Sequence, residues 1–342
     1  MESYLRWLSS STKTDWWCDS GDPSDIRLAL EHGAVGITTN PALSAAAASG
    51  KLPEFAEKMK GAAAMSADPT EKAQLLVEII AKYGAAALNS LFEESGKKRG
   101  YLCAQIDPSQ AGNRNAMREM GRRFSSWAPN ISVKLPATMA GIAVLEELAA
   151  KGIPTTGTVS FTLPQMLAVA EAYERGAAKA RASGKTPAPC NAVLMIGRID
   201  DYLAEVAADN GAAPSSDDIK RAGIAIAKRA YELFKQKRYG AKILVAALRG
   251  TYHATELAGG ELILSIHPKY QKPLMLGDTP KLKKIDDPID TGALERLYTM
   301  KEFVRAYEPA GLAPEEFIRF GATQRTLSQF LETGWKVLEA YK

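Results

Sequence analysis

Eight short apolar runs, separated by amphipathic stretches, limit the folds open to this chain of 342 residues. The runs are 15–19, 35–39, 100–106, 131–136, 154–161, 191–198, 242–248 and 261–266. Each has strand length. Helical periodicity fills the intervals, as in Pro23–Glu31, Gly141–Ala150, Pro164–Ala182 and Asp217–Gln236. Repeated strand-then-helix units predict a parallel sheet, and eight of them predict an α/β fold closed into a (β/α)8 barrel of the TIM type. An open doubly wound sheet is the alternative. After the first run, Asp19-Ser20-Gly21-Asp22-Pro23 reads as a turn into a helix N-terminus, not as a glycine-rich dinucleotide fingerprint.

Residues 44–99 are expected to hold several helices before the third strand, and 201–218 reads as a polar surface excursion. Further helices are expected around Leu294–Tyr307 and Pro314–Tyr341. No composition shift marks a second domain, so 1–342 is expected to form one barrel domain with the helices of 289–342 packed on it. The 43 basic and 39 acidic side chains give a net charge of +4, too mild and dispersed for a nucleic-acid partner but compatible with anionic metabolites. No apolar run is long enough to span a membrane, and Met1–Arg6 has no secretory signal core. Three scattered cysteines fit a reducing compartment, so a cytoplasmic protein is expected. His32, His253 and His267 show no metal-ligand spacing; His267, before Pro268, is the one that could reach a site.

Barrel chemistry collects at the C-terminal ends of the strands, where alternate side chains point inward. Lys134 stands out there, because it sits in the apolar run Ile131-Ser132-Val133-Lys134-Leu135-Pro136, which reads as a buried strand. Burial disfavours its ammonium form and leaves more free amine to attack a carbonyl. The other strand ends offer Asp19, Thr38 and Asn40, then Gln105 and Asp107 on one face, then Thr156, Thr158 and Ser160 on one face, and finally Arg198 and Arg249. Each alone has a structural explanation: a cap, an Asx turn, a backbone-bonded hydroxyl or a solvated charge. Together they suit one chemistry. A lysine forms an iminium with a ketone, a carboxylate takes a hydroxyl proton, amides hold hydroxyls, and arginines meet an anionic tail.

These residues resemble the transaldolase family, including its shorter fructose-6-phosphate aldolase-like members. The resemblance runs from about Asp15 to about Pro268. It rests on Cys18-Asp19-Ser20-Gly21-Asp22, on Gly36-Ile37-Thr38-Thr39-Asn40-Pro41, on Val133-Lys134-Leu135-Pro136-Ala137-Thr138, on Thr158 with Gln165, and on Gly197-Arg198-Ile199-Asp200. It implies a class I aldolase barrel without metal or other cofactor, acting on sugar phosphates in the pentose phosphate pathway. By resemblance Lys134 is the imine lysine, Asp19 the acid/base, Asn40 and Thr38 substrate contacts, Gln105 and Thr158 holders of the catalytic water, and Arg198 and Arg249 phosphate ligands. The length resembles the long members, which are monomers or homodimers.

The chain departs from that pattern in four places. Gln105 stands where transaldolases carry Glu, and it cannot shuttle a proton. Met195 stands where the aldolase-like members, which also carry Gln, have a tyrosine. Val193 and Ala247 replace hydroxyl residues. Three functions are therefore weighed: transfer of a dihydroxyacetone unit between a ketose phosphate and an aldehyde, an aldolase that releases dihydroxyacetone, and a sugar-phosphate-binding barrel without turnover.

Overall fold

The computed structural model describes residues 2–209, 211 and 214–342. Eight strands close a barrel in sequence order. They are β1 (Asp15–Asp19), β2 (Gly36–Thr38), β3 (Tyr101–Gln105), β4 (Ile131–Pro136), β5 (Thr155–Thr158), β6 (Cys190–Met195), β7 (Lys242–Ala246) and β8 (Ile263–Ile266). All neighbours are parallel, and β1 pairs with β8 to seal the ring. The expected (β/α)8 barrel is therefore the fold, and no sheet edge is left open.

Local chemistry starts the helices where the strands stop. Asp22 caps Pro23–Glu31, Asn40 caps Pro41–Ser49, Thr138 caps Met139–Ala149 and Thr162 caps Leu163–Ala182, each through a side-chain oxygen that accepts a backbone N–H. Such a cap contributes about 1 kcal/mol. Proline at the first or second helical position reinforces three of the four, because its fixed φ suits a first turn. Gly36 lets the Trp17 ring lie flat across β2, since a Cβ there would come within 2.4 Å of the indole.

Strand ends differ from the sequence expectation in three places; at one of them β7 stops at Ala246, Ala247 takes a left-handed conformation, φ 59°, and Arg249 lies beyond the strand end. β5 stops at Thr158 because Val159 takes a left-handed conformation, φ 51°, which breaks the alternation that would align Ser160 with Thr158. β6 stops at Met195, and the next helix, Ile196–Asp209, begins at once. Arg198 is thus on a helix and not at a strand end. The same helix corrects the reading of 201–218 as an excursion: 201–209 is helical, with Leu203 fully buried, and Ser216–Lys237 follows. The polar residues of 201–209 are the solvent face of an amphipathic helix.

The C-terminal segment folds over the helices that follow β2. Gly321–Phe330 runs into one π-helical turn, Leu331–Trp335, and then into Lys336–Glu339. Gly334 lies against the backbone of Pro41 and Ala42, where a Cβ would come within 2.5 Å. Trp335 is fully buried. The Lys72 amine donates to the Glu339 and Tyr341 carbonyls, each at 3.2 Å, tying the chain end to helix Pro69–Ala87. Among the described residues no helix is long and apolar enough to cross a membrane.

Candidate active site

Register places the polar strand ends on the inner face of one mouth. Asp19 pairs with Thr38, Gln105 with Lys134, Lys134 with Thr156, and Pro136 with Thr158. A cavity of about 300 Å³ opens there, and its walls include Asp19, Asn40, Lys134, Met195, Arg198 and Arg249. A cavity of this size takes a small metabolite.

Lys134 is 4% exposed, and its Nζ donates to the Thr39 carbonyl at 3.1 Å. Burial holds the amine below the ordinary lysine range; Asp19 opposes that effect and Arg198 adds to it. The nearby Cys103 thiol is itself pushed up by burial and stays protonated, so it adds no full negative charge beside the amine.

Asp19, half-buried, is held by a relay. The Thr38 hydroxyl donates to its Oδ1 at 2.7 Å, and the Thr38 and Ser265 hydroxyls lie 2.6 Å apart. Since Thr38 gives its proton to the carboxylate, Ser265 is the donor to Thr38. The order Ser265 to Thr38 to Asp19 fixes the carboxylate from behind. Asn40 spends its Oδ1 on the Leu43 N–H at 3.0 Å as a helix cap. Its side-chain NH2 has no partner among the described residues.

Two buried polar atoms on the strands flanking β4 are unsatisfied: Gln105 Oε1 and Thr158 Oγ1. An orphaned acceptor and hydroxyl at nearly zero exposure mark a place for a small polar molecule, water being the simplest. The loop that follows Thr158 is braced by Gln165. Its Oε1 accepts from the Phe161 N–H and Thr162 hydroxyl, and its Nε2 donates to the Ala137 and Val159 carbonyls.

The two arginines are already engaged. Arg198 gives Nη1 to Gln329 Oε1, lies 5.1 Å from the Phe330 ring centre, and keeps a buried Nε without a partner. Burial pushes it down to about 10, and Arg249 adds to the shift. Arg249 reaches Asp201 Oδ2 with Nε at 2.9 Å and with Nη2, while Nη1 donates to the Ala247 carbonyl at 3.0 Å. A buried pair sits behind it: His253 Nδ1 accepts the Arg249 N–H at 3.1 Å and its Nε2 faces Asp200 Oδ2 at 3.0 Å. Accepting at Nδ1 puts the ring proton on Nε2, which then donates to Asp200.

The sequence-predicted set Lys134, Asp19, Gln105, Thr158, Asn40, Thr38, Arg198 and Arg249 thus converges on one end of the barrel. Asp107 does not join it. β3 ends at Gln105, and Asp107 caps the turn Pro108–Gln110 and faces a different cavity with Thr70 and Arg123. His267 caps Pro268–Leu276 at the cavity wall. Sequence reading missed Ser265, Lys269, Tyr270, Gln329 and Phe330. Ser265 carried a signal, a hydroxyl inside the apolar run 261–266. Phe330 carried none, because its helix reaches the mouth only through long-range packing.

The family model described as "Transaldolase/Fructose-6-phosphate aldolase" matches residues 16–313. A "Transaldolase" of Thiobacillus denitrificans is 30% identical over 67% of this chain and 65% of its own. "Transaldolase 1" of Streptomyces coelicolor is 28% identical over 59% of this chain and 54% of its own. A "Transaldolase" of Chlamydia pneumoniae is 28% identical over 79% of this chain and 76% of its own. The chain therefore spans less than two thirds of the length of the first two of these relatives. With a match over most of its length, the chain belongs to the transaldolase/fructose-6-phosphate aldolase family.

Proposed function

We propose that this chain is a class I aldolase-type transferase that moves a dihydroxyacetone unit from a ketose phosphate to an aldehyde through an imine on Lys134. The observation that carries the reading is a buried amine sharing one cavity with a carboxylate, its proton affinity lowered by that burial. The neutral Lys134 amine adds to the ketone carbonyl and loses water to give an iminium. Asp19, oriented by Thr38, takes the proton of the hydroxyl on the carbon beyond the bond to be broken. That bond's electrons flow into the iminium, the aldehyde leaves, and an enamine stays on the lysine. The enamine attacks the acceptor aldehyde, Asp19 returns the proton, and water releases the product.

Gln105 and Thr158 suit the water exchanged at the imine carbon, since each has an unsatisfied buried atom and they stand on the strands either side of β4, Gln105 in register with Lys134 and Thr158 with Pro136. The free Asn40 amide suits the hydroxyls of the dihydroxyacetone unit. Arg198 and Arg249 suit an anionic tail. Gln105 also favours a second reading, an aldolase that releases dihydroxyacetone, because no carboxylate stands there to move a proton for the transfer step.

Borohydride reduction in the presence of fructose 6-phosphate tests the shared chemistry. The expected result is a dihydroxyacetone-derived mass on the peptide that contains Lys134. No adduct with fructose 6-phosphate or dihydroxyacetone would sink both readings and leave a binding barrel without turnover. Product analysis with and without an aldehyde acceptor separates transfer from release.

A further inference from the structure

The larger opening of this barrel is at the opposite end from Lys134. A cavity of about 820 Å³ sits under the N-terminal ends of the strands, against about 300 Å³ at the mouth. Barrel floors are normally closed by layers of bulky side chains. Here the inward residues at that depth are mixed: the polar Ser132 on β4 and Asn191 on β6 stand among the larger Trp17, Tyr101 and Lys242, and the space between them is open. The loops that frame the opening carry Pro129, Pro154, Pro187 and Pro189, which brace its rim.

The walls and the rim differ in chemistry. Trp17, Tyr101 and Tyr173 supply aromatic surface. The rim holds Lys97, Lys98, Arg99 and Lys242 against a single carboxylate, Asp15. Asp15 is committed to Arg99 at 2.8 Å and lies 3.9 Å from Lys242. Lys97 and Lys98 are exposed and have no ion-pair partner among the described residues; the Lys97 amine lies 5.8 Å from the Phe92 ring centre. A concave aromatic pocket with an uncompensated cationic rim attracts anions and rewards burial of an apolar body.

The floor also reaches toward the lysine. Asn191 Nδ2 donates to Thr156 Oγ1 at 3.2 Å, and Ser132 Oγ lies 2.8 Å from the same atom. Thr156 in turn lies 3.3 Å from the Cys103 sulfur and shares register with Lys134. A molecule that engages Ser132 or Asn191 touches a hydrogen-bonded cluster directly beneath the amine.

The geometry points to a second ligand site on the barrel floor, for a planar organic anion: an aromatic body against Trp17 and Tyr101, its negative group at Lys97 and Lys98. This site stands whether or not Lys134 forms an imine, because none of the residues that would hold the anion lies at the mouth.

The test uses the full chain and two probes with one body, 8-anilinonaphthalene-1-sulfonate and its uncharged relative N-phenyl-1-naphthylamine, followed by fluorescence titration. The sulfonate is expected to bind at least tenfold more tightly than the neutral probe. The double variant Lys97→Glu with Lys98→Glu should erase that advantage while leaving the neutral probe and the Tm unchanged. Excess fructose 6-phosphate should not displace the sulfonate. Hydrogen exchange should show protection in 96–101 and 186–191. Equal binding of the two probes, an unchanged Kd in the double variant, displacement by the sugar phosphate, or protection confined to the mouth would each overturn the assignment.

Discussion

The Lys134 amine has one hydrogen-bond acceptor in the described structure, the Thr39 carbonyl at 3.1 Å. An ammonium needs three acceptors, and a free amine needs fewer and keeps a lone pair. The Thr39 contact therefore orients the group without satisfying its charged form, and burial does the rest. In the proposed reaction such an amine is made nucleophilic by its surroundings rather than by a neighbouring base.

Replacing Lys134 with Met should remove the imine adduct and stabilise the fold. The unfolded chain keeps this proton up to the ordinary lysine value of 10.5, whereas the folded amine gives it up at lower pH. Between those values the unfolded state binds more protons, so this group's contribution to stability rises with pH across the window, levels off above 10.5, and is least favourable below the folded value. Lys134→Met should abolish that slope and gain on the order of 1–3 kcal/mol at neutral pH. Urea unfolding of both proteins from pH 6 to pH 10 measures the difference. Equal stability at every pH would mean that the amine is not desolvated.

Gln105→Glu places a carboxylate beside Lys134 in register. An adjacent negative charge favours the ammonium, so the pH profile of borohydride trapping should move up by roughly one unit. If the missing carboxylate is what limits transfer, the same variant should raise the ratio of transfer product to free dihydroxyacetone. A profile that stays in place would show that position 105 does not face the amine in solution.

Arg249 and Asp201 give opposite expectations. Arg249→Ala should raise KM for a phosphorylated ketose roughly 10- to 100-fold, the effect of losing a charge-assisted contact, while trapping by unphosphorylated dihydroxyacetone changes less than about threefold. Asp201→Asn removes a competing negative charge, and the Ala247 carbonyl still holds the guanidinium. It should lower KM for the phosphorylated ketose a few-fold. A rise in KM for both variants would make Asp201 a positioning residue whose anchoring outweighs its charge.

Much of the site could be read from the chain because the signals were local. Period-2 alternation in short apolar runs says which side chains share a face, and a polar residue at the end of such a run is conspicuous. That found Asp19, Thr38, Gln105, Lys134 and Thr158. It failed where the strand stopped early. Arg198 follows Met195 into a helix, and Asp107 turns away after Gln105, because backbone breaks such as these leave no mark in hydrophobic periodicity. An Asx turn was the expectation for Asn40 beside Pro41; its part as the helix cap and the freedom of its amide came only from the structure.

The sequence by itself determined the number and order of the strands, their parallel arrangement and the placement of the lysine among apolar neighbours, since each depends on residues a few positions apart. Only the tertiary structure decided how the mouth is finished. Gln329 meets Arg198 across 131 residues of chain, Ser265 meets Thr38 across 227, and Phe330, from the segment that packs Gly334 against Pro41, lines the cavity. Such meetings follow from ring closure and from the packing of distant helices, which no short stretch of sequence encodes.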